Sequence, residues 1–123
     1  MKVVVPVDED RGMDSRLSEH FGRAPFFAVF DLDESGQVLR QEMVRNEGEH
    51  FGGAGRPAER LLQLRPDVVI TYGMGPRALG IFQQAKVAVM RANSNILKEV
   101  ISSYLKDELE EFTESCQHAR HHY

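Results

Sequence analysis

Apolar residues along this chain follow two rhythms, and each change of rhythm marks an element. Val3-Val4-Val5-Pro6-Val7 is an unbroken β-branched run, as expected of a strand covered on both faces. Residues 26–32 form a second apolar run, Glu34-Ser35-Gly36 supplies turn chemistry, and residues 37–44 alternate, so a hairpin is predicted. Polar, glycine-bearing residues 46–55 read as a loop of functional length. A short helix then opens at Pro57, with Ala58, Leu61 and Leu62 on one face, and Pro66 ends it. Residues 67–72 and 87–90 read as strands, separated by a helix that opens at Pro76 and carries Leu79, Ile81 and Phe82. The strongest helical period comes last: Ile96, Leu97, Val100, Ile101, Tyr104, Leu105, Leu109 and Phe112 recur at three- and four-residue steps, with Ser94 or Asn93 as the cap.

This order, β-β-β-α-β-α-β-α, combines an opening antiparallel hairpin with a β-α-β-α-β remainder whose crossovers should be right-handed. One domain over residues 1–112 is expected, followed by a loose tail over residues 113–123. In an open α/β sheet, ligands collect beyond the carboxyl ends of the strands. The turns after the first and fourth strands should meet there, and the loop before the first helix could reach the same rim.

The first of those turns holds Ser18-Glu19-His20-Phe21-Gly22-Arg23-Ala24. Imidazole suits borderline metals and guanidinium suits anions. Glycines recur in Gly52-Gly53-Ala54-Gly55 and in Gly73-Met74-Gly75-Pro76, and Arg23, Arg56 and Arg77 each stand beside one of these glycine segments. An arginine in a first helical turn opposes the helix dipole by about 0.3–1 kcal/mol, so Arg56 and Arg77 are odd placements for stability alone. They are expected to form a cationic rim, the bland reading being solvated residues with local partners such as Glu59 for Arg56. Met74, set between two glycines, is the one methionine whose thioether invites interest beyond core filling.

Taken together, the opening strand, Ser18 to Ala24, the second strand, the glycine segment 52–55, Asp67-Val68-Val69-Ile70 and Gly73-Met74-Gly75-Pro76 resemble the dinitrogenase iron–molybdenum cofactor biosynthesis family, the NifX-like proteins that also match the C-terminal part of NifB. The resemblance runs from residue 2 to about residue 105. It implies a ribonuclease-H-like α/β fold: a five-stranded mixed sheet, order 3-2-1-4-5, strand 2 antiparallel, helices on both faces. It also implies a non-catalytic protein that binds, carries or scaffolds a preformed iron–sulfur or iron–molybdenum cluster, held transiently or absent from the isolated protein. Metallocluster donor and acceptor proteins are the implied partners. On this reading His20, Phe21, Gly22, Arg23, Gly53, Gly55, Gly73, Met74, Gly75 and Arg77 surround the cluster, and metal donors come from His20, His50, Cys116 and His118.

Bulk properties narrow the alternatives. Among 123 residues, 41% apolar and 28% charged, the net charge is −4, which argues against a general nucleic-acid binder. No apolar run approaches a membrane span and the first residues read as a strand, so a cytoplasmic location is expected; a monomer is expected as well. One cysteine, Cys116, cannot form an internal disulfide, and clusters assembled in place usually need several thiolates. A preformed cluster needs fewer donors. The tail Cys116-Gln117-His118-Ala119-Arg120-His121-His122 has suitable ligand types but lacks the paired spacing of a structural zinc site. A nucleotide or small-anion sensor is the main alternative, although the glycine turn lacks the lysine and hydroxyl of a phosphate-binding loop. A divalent-metal nuclease would draw on Asp8, Asp10, Asp14 and Asp31, yet the turn at residues 73–76 contributes no carboxylate. A partner-binding module would use Asp107, Glu108, Glu110 and Glu111 as an acidic face on the last helix.

Overall fold

The computed structural model describes residues 1–46 and 57–112. Among the described residues six strands form one sheet: β1 (Lys2–Val7), β2 (Phe26–Leu32), β3 (Val38–Arg45), β4 (Val68–Thr71), β5 (Ala88–Arg91) and β6 (Glu110–Glu111), in the order β3-β2-β1-β4-β5-β6. β1 pairs antiparallel with β2 and parallel with β4, β4 pairs parallel with β5, and β6 closes the far edge antiparallel to β5. The predicted five-strand order is present, and the sixth strand is an addition to it.

β1 explains why its run is unbroken. Val4 packs with Val69, Phe27, Val29 and Val89 on one face, while Val3, Val5 and Val7 pack with Ala28, Phe30 and Ile70 on the other. The first face is covered by α1 (Pro57–Leu62) and α2 (Pro76–Gln84) through Ala58, Leu61, Leu79 and Phe82. The second is covered by α3 (Leu97–Leu105) through Leu97, Val100 and Ile101. The period-2 alternation of strand side chains thus feeds two separate cores.

The last helix is shorter than its period predicts. It ends at Leu105, and the chain turns through Asp107, whose φ is +58°. The cause lies in the two cores: Leu109 is buried on the α3 face, but Phe112 is buried on the α1/α2 face. A straight helix on one side of the sheet cannot deliver both. The chain therefore crosses the edge as β6, with the Phe112 N–H donating to the Val89 carbonyl at 2.7 Å and the Arg91 guanidinium over the Phe112 ring at 4.3 Å. Asp107, Glu108, Glu110 and Glu111 consequently lie beyond the helix, so they form no acidic helical face. The cap also differs from expectation. Ile96 occupies the N-cap position, while the Ser94 hydroxyl accepts the Ile96 N–H at 3.2 Å and bonds to the Glu99 carboxylate.

Candidate functional site: two glycine-bearing turns over one hollow

The long connection from β1 to β2 is held along its length. Asp8 N–H donates to the Arg16 carbonyl at 2.8 Å, Leu17 N–H to Asn95 at 2.9 Å, and Ser18 N–H to Pro6 at 3.1 Å. Leu97 N–H donates to the Ser15 carbonyl at 2.9 Å, tying the same segment to the start of α3. Two single 3-10 turns, residues Gly12–Asp14 and Phe21–Arg23, punctuate this connection.

Within Ser18 to Ala24, every third residue faces inward: Ser18, Phe21 and Ala24 are buried, whereas Glu19, His20, Gly22 and Arg23 are exposed. Ser18 donates its hydroxyl to the His20 carbonyl at 3.1 Å, and Arg23 N–H donates to the same carbonyl at 2.9 Å. Phe21 drives its ring edge-on against Phe82 of α2, centroids 5.7 Å apart at 78°. The backbone of His20 is thereby fixed while its imidazole is left to solvent. From α1, Arg60 donates Nε–H to Asn46 Oδ1 at 2.8 Å, and Asn46 donates to the Ala24 carbonyl at 2.8 Å, bracing the end of the turn.

Residues 19–22 face residues 73–75 across a shallow hollow of about 300 Å³. Met74 forms part of its floor, but at 7% exposure it lies mostly within the Phe21–Leu79–Phe82 core, so its thioether acts chiefly as packing. A methyl group added at Gly73 or Gly75 would meet nothing within 4 Å. The small residues thus leave open space at the rim. Gly75 caps α2, whose first turn contains Pro76 and Arg77 and no acidic side chain. Among the described residues no carboxylate pairs with Arg23 or Arg77.

The three-arginine rim is met only in part. Arg77 lines an adjoining apolar hollow of about 240 Å³ that shares Phe21 and Gly22 with the first, and Arg23 lines neither. Arg56, Gly53, Gly55, His50, Cys116 and His118 lie outside the described residues. Of the residues expected around the ligand, His20, Phe21, Gly22, Gly73, Met74 and Gly75 come together. Among the described residues no three His, Cys, Asp or Glu side chains converge as a metal-binding group.

The sequence reading missed the other side of Glu19. There a larger cavity, about 540 Å³, is lined by Asp8, Arg16, Glu19, Tyr72 and Asn95. Burial first, and the Glu19 carboxylate second, raise the Tyr72 phenol above its ordinary pKa of 10.0. Position offered one signal: Asp8 and Tyr72 each follow directly on a parallel strand, at the rim where ligands collect.

A two-faced α/β domain with paired glycine-bearing turns over a hollow at the carboxyl rim of its parallel strands is the class that fold and site define. The chain belongs to the dinitrogenase iron–molybdenum cofactor family, whose profile matches residues 1–107. It is 30% identical over 114 residues to the uncharacterized protein MJ0580 of Methanocaldococcus jannaschii, covering 91% of this chain and 92% of the relative. The crystal structure of PH0822 superposes with a TM-score of 0.75 at 26% identity, covering 92% of this chain and 97% of that one. The solution structure of TM1290, a Thermotoga protein described provisionally as a NifB protein, gives 0.70 at 28% identity over 91% and 93% of the two chains. No helix among the described residues is long and apolar enough to cross a membrane.

Proposed function

We propose that this protein is a non-catalytic carrier for a preformed iron–sulfur or iron–molybdenum cluster, received from one protein and passed to another during metallocluster assembly. The observation that carries the reading is the meeting of residues 19–22 with residues 73–75 over one hollow, with an exposed imidazole at the rim. A cluster whose irons are already bridged by sulfide needs only one or two protein donors to be retained, and His20 is the leading one. Backbone amides at the start of α2, with roughly half a positive charge from the helix dipole, attract the anionic cluster, and Arg77 adds charge from the adjoining hollow. Loose holding is what a carrier requires, since a site built from several thiolates would compete with the acceptor. His50, Cys116 and His118 are proposed as further donors on segments outside the described residues. The turn over residues 73–76 lacks the lysine and hydroxyl of a phosphate-binding loop, which disfavours a nucleotide phosphate as the ligand.

The test is anaerobic addition of isolated iron–molybdenum cofactor, and separately of a synthetic [4Fe–4S] cluster, followed by gel filtration and visible absorption. The intact protein should retain cluster, and His20→Ala should weaken retention about tenfold or more, by analogy with the loss of a metal-orienting group. Equal retention by the two proteins would remove His20 from the site. No retention by either would end the carrier reading.

A further inference from the structure

β3 is an edge strand of the sheet, and no described element covers it: Val38 is 43% exposed, Leu39 67%, and Arg40, Gln41 and Glu42 are exposed beside them. The direction of its backbone groups follows from bonds at the two ends of the hairpin. Asn46 N–H donates to the Pro25 carbonyl, and Met1 and Leu32 exchange bonds through their nitrogens and carbonyls. Alternation along an antiparallel ladder then turns the N–H and C=O of Glu42 and Val44 toward β2, and those of Gln41 and Met43 outward. Among the described residues, Gln41 and Met43 therefore offer unused hydrogen-bonding groups at the open edge.

An antiparallel neighbour identical to β3 can bond this edge only in registers that set outward-facing residues opposite one another. Centring the pair on Glu42 would oppose two carboxylates. Centring it on Met43 would set Glu42 against Val44. Centring it on Gln41 gives Gln41 with Gln41 and Arg40 with Glu42 on the regular part of the strand, with Leu39 and Val38 lying beyond the register shift. Each charge then meets its opposite, because Arg40-Gln41-Glu42 is self-complementary about its midpoint, and apolar residues, Val38-Leu39 and Met43-Val44, flank it on both sides.

We propose that β3 is a self-association strand, through which two copies of this chain join antiparallel about Gln41 into one continuous sheet. Arg40 and Glu42, 3.9 Å apart within one strand and both largely exposed, exchange partners across the two-fold axis. They fall at the non-hydrogen-bonded positions, where opposed side chains approach more closely. Edge charges commonly block such pairing. Here they select a register. The irregularity opposite Asp31 and Leu32 leaves Leu39 outside the β2 ladder, which shortens the joint strand pair and makes the association reversible. A dimer departs from the monomer expected from sequence, and it is independent of the cluster-carrier reading.

Two measurements on the full chain test this. In a Cys116→Ser background, Gln41→Cys should form an intermolecular disulfide under mild oxidation, since a hydrogen-bonded pair spaces its Cα atoms about 5.5 Å apart, within disulfide reach. Glu42→Cys, diagonal to its own copy in this register, should cross-link roughly tenfold more slowly. Sedimentation should show the weight-average mass rising toward the dimer with concentration, and Glu42→Arg, which opposes Arg40 with a like charge, should weaken that rise about tenfold without altering the thermal midpoint of dilute protein. A monomer at all concentrations up to about 1 mM would overturn the proposal, because any contact with a dissociation constant below that value would be seen. So would Glu42→Cys cross-linking as fast as Gln41→Cys, which would refute the register.

Discussion

Replacing Phe21 with alanine separates the anchoring of the candidate site from its chemistry. The ring is 7% exposed, meets Phe82 edge-on at 5.7 Å, and belongs to the core shared by Ala58, Met74 and Leu79. Moving a phenyl group of this burial into water costs about 2–3 kcal/mol. The aromatic pair adds about 0.5–1.5 kcal/mol, and the cavity left behind raises the total toward the usual 3–5 kcal/mol. Phe21 borders the open hollow, so water can enter part of the space, and the lower end, about 3 kcal/mol, is expected. Denaturant unfolding followed by circular dichroism reads this value directly, with the denaturant dependence unchanged if only stability has moved. His20→Ala, at an exposed neighbouring position, should change stability by no more than about 0.5 kcal/mol. A loss below about 1 kcal/mol for Phe21→Ala would refute the argument that this ring fixes the turn.

Three further outcomes follow from local geometry. Gly73→Ala introduces a methyl group into open space at ordinary backbone angles, so stability should change by less than about 1 kcal/mol while cluster retention falls several-fold; unchanged retention would place the ligand elsewhere. The buried Thr71 hydroxyl has no hydrogen-bond partner among the described residues, so Thr71→Val should raise stability by about 0.5–1.5 kcal/mol in urea unfolding, and a loss of that size would reveal a hidden partner. Asp33 accepts the N–H groups of Gln37 and Ser35 at 2.9 Å and the Ser35 hydroxyl at 2.8 Å, and these bonds, Gln37 foremost, lower its pKa below the ordinary 3.8. The carboxylate's support of the β2–β3 turn is therefore fully present above the unfolded value and lost as pH falls through the lower folded value. Amide shifts of Ser35 and Gln37 should hold to below pH 3.8 and then move, a transition absent in Asp33→Asn; movement at or above 3.8 would contradict the bonding described.

Much of the fold was legible because strand and helix faces obey different periods. The unbroken valines of β1 required two covered faces, and two cores are present. The last helix misled for an instructive reason: Leu109 and Phe112 continue its period by spacing, yet they serve opposite faces of the sheet. Periodicity records separation along the chain and carries no information about which side of a sheet a residue reaches. A two-residue strand such as β6 has no period of its own, and its existence is set by the edge it covers. At the candidate site, the glycines and the histidine were readable as a turn, whereas the inward packing of Phe21 on Phe82 was not. The separation of Arg77 from Arg23 was not, because an arginine's direction depends on neighbours contributed by distant elements. The partition of the rim into two spaces by Glu19 was hidden for the same reason.

The closing strand also sets an exit bearing for whatever follows it. Glu110 stands opposite Arg91 and Glu111 opposite Met90, so the backbone is descending from the strand ends that bear the glycine turns toward the far end of the sheet when it reaches Phe112. Cys116 comes four positions later, a tether of at most about 14 Å when fully stretched. On the carrier reading, a thiol at that position would come beside His20 only against this bearing of β6, which points away from the rim.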